Sequence, residues 1–333
     1  MTFASLSVIH ASLLFVASQA FGQTAEFTDF SPNPGTLGAL LHVPPDTSPG
    51  LPLVVALHGC TQQAADFDNE TGLANLADAT PFLLLLPNQN PANMSNQCFR
   101  FYDQADNRPG QGESASILAM IDAVLAQHDA DPARVYILGL SGGGGMTAAM
   151  MANHPERFAG GAILAGVPYG CNRPASAWDW LWSVYHYMPV DGLDATYACG
   201  IYGYDASDRS PRDWASYVTA VSGPRDTWPL LSLWQGGADD TVDPRNLQEL
   251  TDQWTAVQGL DQTPDLIQSI GTATRSVYTD NSGAARIETW ALPGFDHAVP
   301  IDPENACGTA GPHIADADLC AVRHIAAFWG LTP

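Results

Sequence analysis

Basic side chains are scarce: 12 Lys and Arg stand against 35 Asp and Glu in 333 residues, a net charge of −23. So acidic a chain repels phosphate backbones and anionic membrane surfaces, so neither nucleic acid nor a charged bilayer is an expected partner. The same charge favours solubility outside the cell. The six cysteines include no C-x-x-C pair and no histidine at zinc-finger spacing, so no metal site is expected, and no cofactor. Pro/Ser/Thr-rich hinges, low-complexity tracts and internal repeats are lacking too, so residues 23–333 read as a single domain. No membrane span is expected, because the amino-terminal apolar stretch, residues 6–17, is too short to cross a bilayer. Small residues around Ala20 and Gly22 follow it, so residues 1–22 read as a signal peptide, despite an n-region without Lys or Arg.

An even number of cysteines fits export to an oxidising compartment, where six can close as three disulfides. Of the fifteen pairings open to six cysteines, sequential closure is expected: Cys60 with Cys98, Cys171 with Cys199, and Cys307 with Cys320.

Leu37–Val43, Leu53–Leu57, Val135–Leu138, Gly161–Ala165, Leu230–Trp234 and Ala285–Leu292 read as strands, as does the short apolar run Phe82–Leu86, stopped by Pro87. Residues 113–127 place Ile117, Met120, Ile121, Val124 and Leu125 on one helical face, and a last helix is expected over Asp316–Phe328. Strands alternating with helices predict an α/β fold with a mostly parallel central sheet covered on both faces. In such sheets reactive groups collect beyond the carboxyl ends of strands. Between residues 171 and 228 the pattern breaks. Trp178, Trp180, Trp182, Tyr185, Tyr187, Tyr197, Tyr202, Tyr204, Trp214 and Tyr217 crowd there, an aromatic-rich excursion that serves as a lid, a satellite core, or both.

Gly139-Leu140-Ser141-Gly142-Gly143 follows one expected strand and precedes the helix-compatible Met146–Met151. A G-x-S-x-G turn in that context lifts the serine hydroxyl clear of the sheet, making Ser141 a candidate nucleophile. Alone, the pentapeptide could be an ordinary glycine-rich loop. A serine needs a base, and the base an orienting carboxylate. Of nine histidines, His10 lies in the signal, His42 and His58 precede Ser141, His128 and His154 sit at helix ends, and His324 falls on the last helix. His297 is best placed, just past the strand ending at Leu292, with His186 and His313 remaining open. Asp239, Asp240 and Asp243 follow the strand ending at Trp234. Asp239 is favoured because Val242 can anchor its loop, whereas Asp243 before Pro244 looks like a helix cap. The backbone amides of Gly142 and Cys60 are the candidate oxyanion donors. Cys60 lies in the loop His58-Gly59-Cys60-Thr61-Gln62 after Leu57, and a Cys60–Cys98 bridge would stiffen it.

The segments His58–Gln62, Gly139–Met146, Gly166–Gly170 and Thr241–Pro244 resemble those of secreted poly(3-hydroxybutyrate) depolymerases and related feruloyl-type esterases, in consistent order across residues 37–331. Phe328–Leu331 resembles the end of that catalytic domain, and Cys307-Gly308 with Cys320 resembles its closing loop. The resemblance implies an α/β-hydrolase fold, a Ser141–Asp239–His297 triad and an oxyanion hole at Cys60 and Gly142. It further implies a secreted serine esterase acting through an acyl-enzyme on aliphatic polyester such as poly(3-hydroxybutyrate) or its oligomers. Feruloyl or acetyl esters of plant polysaccharide are the alternative substrates. Acyl transfer to an alcohol by the same triad and a non-catalytic binding role on the same scaffold are the rival functions. Three features depart from the family pattern: Gly142 and Gly145 where alanines are common, Phe295-Asp296 before His297, and the length of the Trp-rich excursion.

Overall fold

A computed structural model of the chain describes residues 21–173 and 191–332, with side chains omitted at residues 191–194. Most of the expected signal peptide therefore lies outside the described residues, as do Trp178, Trp180, Trp182, Tyr185, His186 and Tyr187 of the excursion.

Ten strands form one sheet: β1 (Gln23–Glu26), β2 (Gly38–Val43), β3 (Leu53–Leu57), β4 (Leu83–Asn88), β5 (Val135–Leu140), β6 (Gly160–Leu164), β7 (Leu230–Gly236), β8 (Leu266–Ile270), β9 (Ala273–Thr279) and β10 (Ala285–Leu292). Their spatial order is β1-β2-β4-β3-β5-β6-β7-β10-β9-β8. The six strands from β4 through β10 in that order run parallel, and antiparallel strands flank them on both sides. A separate pair, β11 (Val299–Ile301) and β12 (Ile314–Asp316), lies in the carboxyl-terminal region.

Both faces of the central strands are buried, which is why β3 is apolar at every position with no residue more than 1% exposed. Leu53, Val55 and Leu57 face one core with Ile117, Met120, Ile121 and Val124 of the helix Gly112–His128. Helices Gly142–Asn153, Pro211–Ser222 and Asn246–Gln258 complete that layer. Val54 and Ala56 face the other core, under helices Ala64–Thr71, Leu73–Ala79 and Ala321–Phe328. Each fully buried Leu or Val side chain contributes about 1.5–3 kcal/mol to holding these layers together. Among the described residues no helix is long and apolar enough to cross a membrane.

Several boundaries differ from expectation, most by one or two residues, and two of the differences have a clear physical reason. The strand thought to stop before Pro87 continues through Asn88, with Pro87 opposite Ala39 of β2. β3 pairs with β4 only as far as Leu85, so Pro87 has a ladder neighbour on one side and its missing N–H is tolerated. The last helix starts at Ala321 rather than Asp316. Asp316 ends β12, Asp318 adopts a positive φ of 50°, and Cys320, bonded to Cys307, holds the N-cap position. The β8–β9 hairpin and β1 are additions that no apolar run announced.

Candidate active site

β5 ends at Leu140 and the next helix begins at Gly142, leaving Ser141 to make the whole change of direction. Its φ of 55° and ψ of −118° are unfavourable for an L-residue, a cost of about 1–3 kcal/mol that the surrounding packing must carry. Two glycines make the turn sterically feasible. A Cβ at Gly139 would lie 2.3 Å from the Gly143 carbonyl oxygen, and one at Gly143 would lie 2.3 Å from that of Leu57. The Ser141 amide donates to the Leu164 carbonyl of β6 at 2.9 Å, and the Gly145 amide donates to the Ser141 carbonyl at 2.9 Å.

Asp239 and His297 follow the carboxyl ends of the adjacent parallel strands β7 and β10. Their loops are clasped together, the Gly237 amide donating to Leu292 and the Ala238 amide to Phe295, each at 2.9 Å. His297 Nδ1 lies 2.8 Å from Asp239 Oδ2, and both residues are buried. The carboxylate is held from every side. Oδ1 accepts the Thr241 and Val242 amides at 2.9 and 2.8 Å, and Oδ2 also accepts Gln235 Nε2 at 2.8 Å. A carboxylate at Nδ1 keeps the proton there and leaves Nε2 as a base. Val242 is buried and anchors the loop, Asp240 is exposed, and Asp243 stands at the start of the following helix, whose N-cap position is held by Arg245. Its carboxylate accepts the amides of Ala206 and, at the helix start, of Arg245.

Ser141, His297, Gly142 and Cys60 line one cavity of about 290 Å³, with Met94, Phe101, Val167 and Tyr202 among its apolar walls. That is near the lower end of the ~300–1,000 Å³ usual for small-molecule sites, room for a short acyl group. Cys60 is bonded to Cys98, and the other two pairs are also sequential, Cys171–Cys199 and Cys307–Cys320. A Cβ at Gly142 would lie 2.9 Å from Cys60 Sγ, so the disulfide abuts the start of the helix. Among the described residues the Cys60 amide donates to no protein acceptor, and the Gly142 amide, at the first helical position, has no intrahelical one.

The loop carrying Cys60 is braced by side chains that local sequence pattern does not single out. His58 is fully buried, and its Nε2 accepts the Gln89 amide at 3.1 Å. Its Nδ1 is therefore the donor, 2.7 Å from the Gly59 carbonyl, and that carbonyl shares a peptide unit with the Cys60 N–H. Burial pushes the His58 imidazole down to about 4, so it stays neutral over the range in which a histidine base works. Gln62 Oε1 accepts the Gly59 amide, and its Nε2 donates to the Pro312 carbonyl, each at 2.9 Å.

Among the described residues, the histidines other than His297 and His313 lie off the cavity wall. His42 pairs with Asp78 at 2.8 Å, His154 lies near Ser114 and Glu156, and His324 sits 4.7 Å from the Trp290 ring. His313 reaches the cavity rim, where its Nδ1 is 3.2 Å from the His297 carbonyl. Among the described residues no group of three or more His, Cys, Asp or Glu is arranged to hold a metal ion. The elbow glycine at 145 has a steric origin, because a Cβ there would lie 2.6 Å from Phe101 Cγ. Among the described residues of the excursion, Trp214 is buried with Val167, Cys171 and Val242, whereas Tyr197, Tyr202 and Tyr204 are exposed.

Glu113, which no motif marks, is fully buried in the first turn of its helix. Its carboxyl accepts Gln89 Nε2 at 2.5 Å and the Arg100 amide at 2.7 Å, pinning both sides of the segment that carries Cys98. Burial raises this carboxyl from 4.5 to about 7, against the lowering effect of those two bonds. Between these values the folded chain keeps a proton that the unfolded chain has released, so this group lowers stability as pH rises through the window. Glu113→Gln is expected to flatten the decline in Tm between about pH 4.5 and 7 relative to the unsubstituted protein, as read by calorimetry. Parallel Tm profiles for the two proteins would show that Glu113 does not titrate there.

A family model described as "Esterase PHB depolymerase" matches residues 37–206. The chain is 36% identical over 326 residues to poly(3-hydroxyalkanoate) depolymerase C of Paucimonas lemoignei, covering 96% of this chain and 73% of that protein. It is 32% identical over 240 residues to acetylxylan esterase A of Emericella nidulans, covering 72% and 73% respectively. Among solved structures, an acetyl xylan esterase from Aspergillus awamori superposes with a TM-score of 0.75 at 24% identity, covering 93% of this chain and all of that one. The shared architecture is the α/β-hydrolase fold.

Proposed function

The chain belongs to the esterase PHB depolymerase family of carboxylic ester hydrolases, and from that premise we propose that it cleaves aliphatic polyester, such as poly(3-hydroxybutyrate) or its oligomers, outside the cell. In this reading Ser141 attacks the ester carbonyl while His297 Nε2 takes its proton, and Asp239 orients the imidazole and stabilises its charged form. The Cys60 and Gly142 amides bind the oxyanion of the tetrahedral intermediate. His297 then protonates the departing alcohol, and water hydrolyses the acyl-enzyme through the same groups. The Asp239–His297 contact of 2.8 Å, on the wall of the cavity that holds Ser141, carries this reading above all.

Residues 1–22 act as a cleaved export signal and residues 23–333 as one catalytic domain, a reading consistent with three disulfides. The acetylxylan esterase relatives supply a second reading, deacetylation of plant polysaccharide. Incubation with a poly(3-hydroxybutyrate) suspension, acetylated xylan and methyl ferulate separates the substrates, with release of hydroxybutyrate oligomers expected. Acetate release from xylan without attack on the polyester would move the assignment to the second reading. An added alcohol acceptor that diverts most product from acid to new ester would mark an acyltransferase.

A further inference from the structure

Six large apolar or aromatic side chains of the described residues stand out in solvent, and three of them fall within eight residues of one another. These are Tyr197, Tyr202 and Tyr204, at 53%, 65% and 43% exposure. Together they show on the order of 300 Å² of ring surface, within the range of the largest apolar patches on soluble monomers, which are often functional. Tyr202 is also part of the cavity wall that holds Ser141, so the patch begins where the site opens. The Tyr197 and Tyr204 rings meet edge to face with centroids 4.3 Å apart, so they form one aromatic surface.

The segment bearing these rings is firmly mounted. The Cys171–Cys199 disulfide anchors one end, and bridges join Cys199 to Ala206 and Ile201 to Val242. The Tyr202 amide donates to the Thr241 carbonyl at 2.7 Å, and the Asp243 amide to the Gly200 carbonyl at 2.8 Å. Asp239 itself holds the Thr241 and Val242 amides, so the rings and the triad acid share one scaffold. Fixed aromatic surface in water is retained at a hydration cost, which points to an occupant.

We propose that the three tyrosines form a ledge on which an uncharged aliphatic polyester chain lies before one ester enters the cavity at Ser141. This rests on the polyester reading above. Exposed Asp205 and Asp208 flank the ledge, and the whole chain is acidic, so an anionic polymer would be repelled. Tyr197 and Tyr204 meet at 63° with ring centroids 4.3 Å apart. Rings so inclined cannot both lie flat on the faces of a sugar chain, whereas a flexible run of methyl and methylene groups can follow a bent surface.

The test uses Tyr197→Ser/Tyr204→Ser, two positions off the cavity wall, beside Tyr197→Phe/Tyr204→Phe, which keeps the rings. Adsorption to poly(3-hydroxybutyrate) film and acid release from it are measured together with kcat/KM on soluble p-nitrophenyl butyrate. The serine pair is expected to lose adsorption and film erosion by on the order of tenfold, with soluble turnover within about twofold of the unsubstituted protein and the phenylalanine pair near normal on both. Film erosion unchanged in the serine pair would overturn the ledge while leaving the polyester reading intact. If the unsubstituted protein ignores the film but cleaves the soluble ester, the polyester reading itself fails and the ledge with it. Loss of binding to acetylated xylan alone would assign the rings to a sugar chain, against the proposal.

Discussion

Ser141→Ala is expected to lower kcat on p-nitrophenyl butyrate by roughly 10⁴-fold or more, with Tm close to that of the unsubstituted protein. The size follows from the unity of the triad: without the nucleophile, His297 and Asp239 have nothing to activate, and only the oxyanion amides and substrate binding remain. The stability expectation follows from the elbow, because alanine at a φ of 55° and ψ of −118° bears the same backbone strain as serine. Loss of activity is then attributable to one hydroxyl. Activity within tenfold of normal would remove Ser141 from the mechanism. A fall in Tm large enough to unfold the variant would make Ser141→Cys the informative change, since a thiol at the elbow can still be acylated.

Asp239→Asn is expected to cost roughly 10⁴ in kcat, and Asp240→Asn almost nothing. The reason lies in which atoms already occupy the carboxylate. Oδ1 accepts two backbone amides, so an asparagine would turn its carbonyl oxygen toward Thr241 and Val242. Its NH₂ would then face both Gln235 Nε2 and His297 Nδ1, the positions Oδ2 now serves. Two donors cannot satisfy each other. The imidazole would have to accept at Nδ1 and carry its proton on Nε2, where it can no longer take one from Ser141. Asp240 is exposed and makes no contact with His297. Equal losses in both variants, measured as kcat/KM across pH, would refute this assignment of the acid.

The parts of the site that could be read from sequence were those with a local signature. β3 coincides with its apolar run because it is bounded by turn residues and buried on both faces, and β10 keeps its expected span although it carries buried Glu288 and half-buried Arg286. Asp239 could be preferred over its neighbours because Val242, three residues on, had to be buried for the loop to hold. The bracing residues had no such mark. Glu113 meets Gln89 and Arg100 across separate stretches of chain, and Gln235 looks like any polar residue near a strand end until Asp239 is seen beside it. β8 was unreadable for a different reason: its Leu266 and Ile267 are both exposed, so neither alternation nor a continuous buried run announces a strand. The aromatic excursion was legible as a cluster but not as a division of labour, since composition alone does not tell buried Trp214 from exposed Tyr202.

The Cys60–Cys98 bond joins the loop that carries one proposed oxyanion amide to the segment that Glu113 pins, and it abuts Gly142, which carries the other. Two thiols at that place would leave the Cys60 loop tethered by His58, Gln62 and the bond from the Thr61 amide to the Asn96 carbonyl. On the proposed mechanism, catalytic competence is coupled to oxidation: reducing this bond would loosen the loop that presents the Cys60 amide while leaving the Asp239–His297 contact in place.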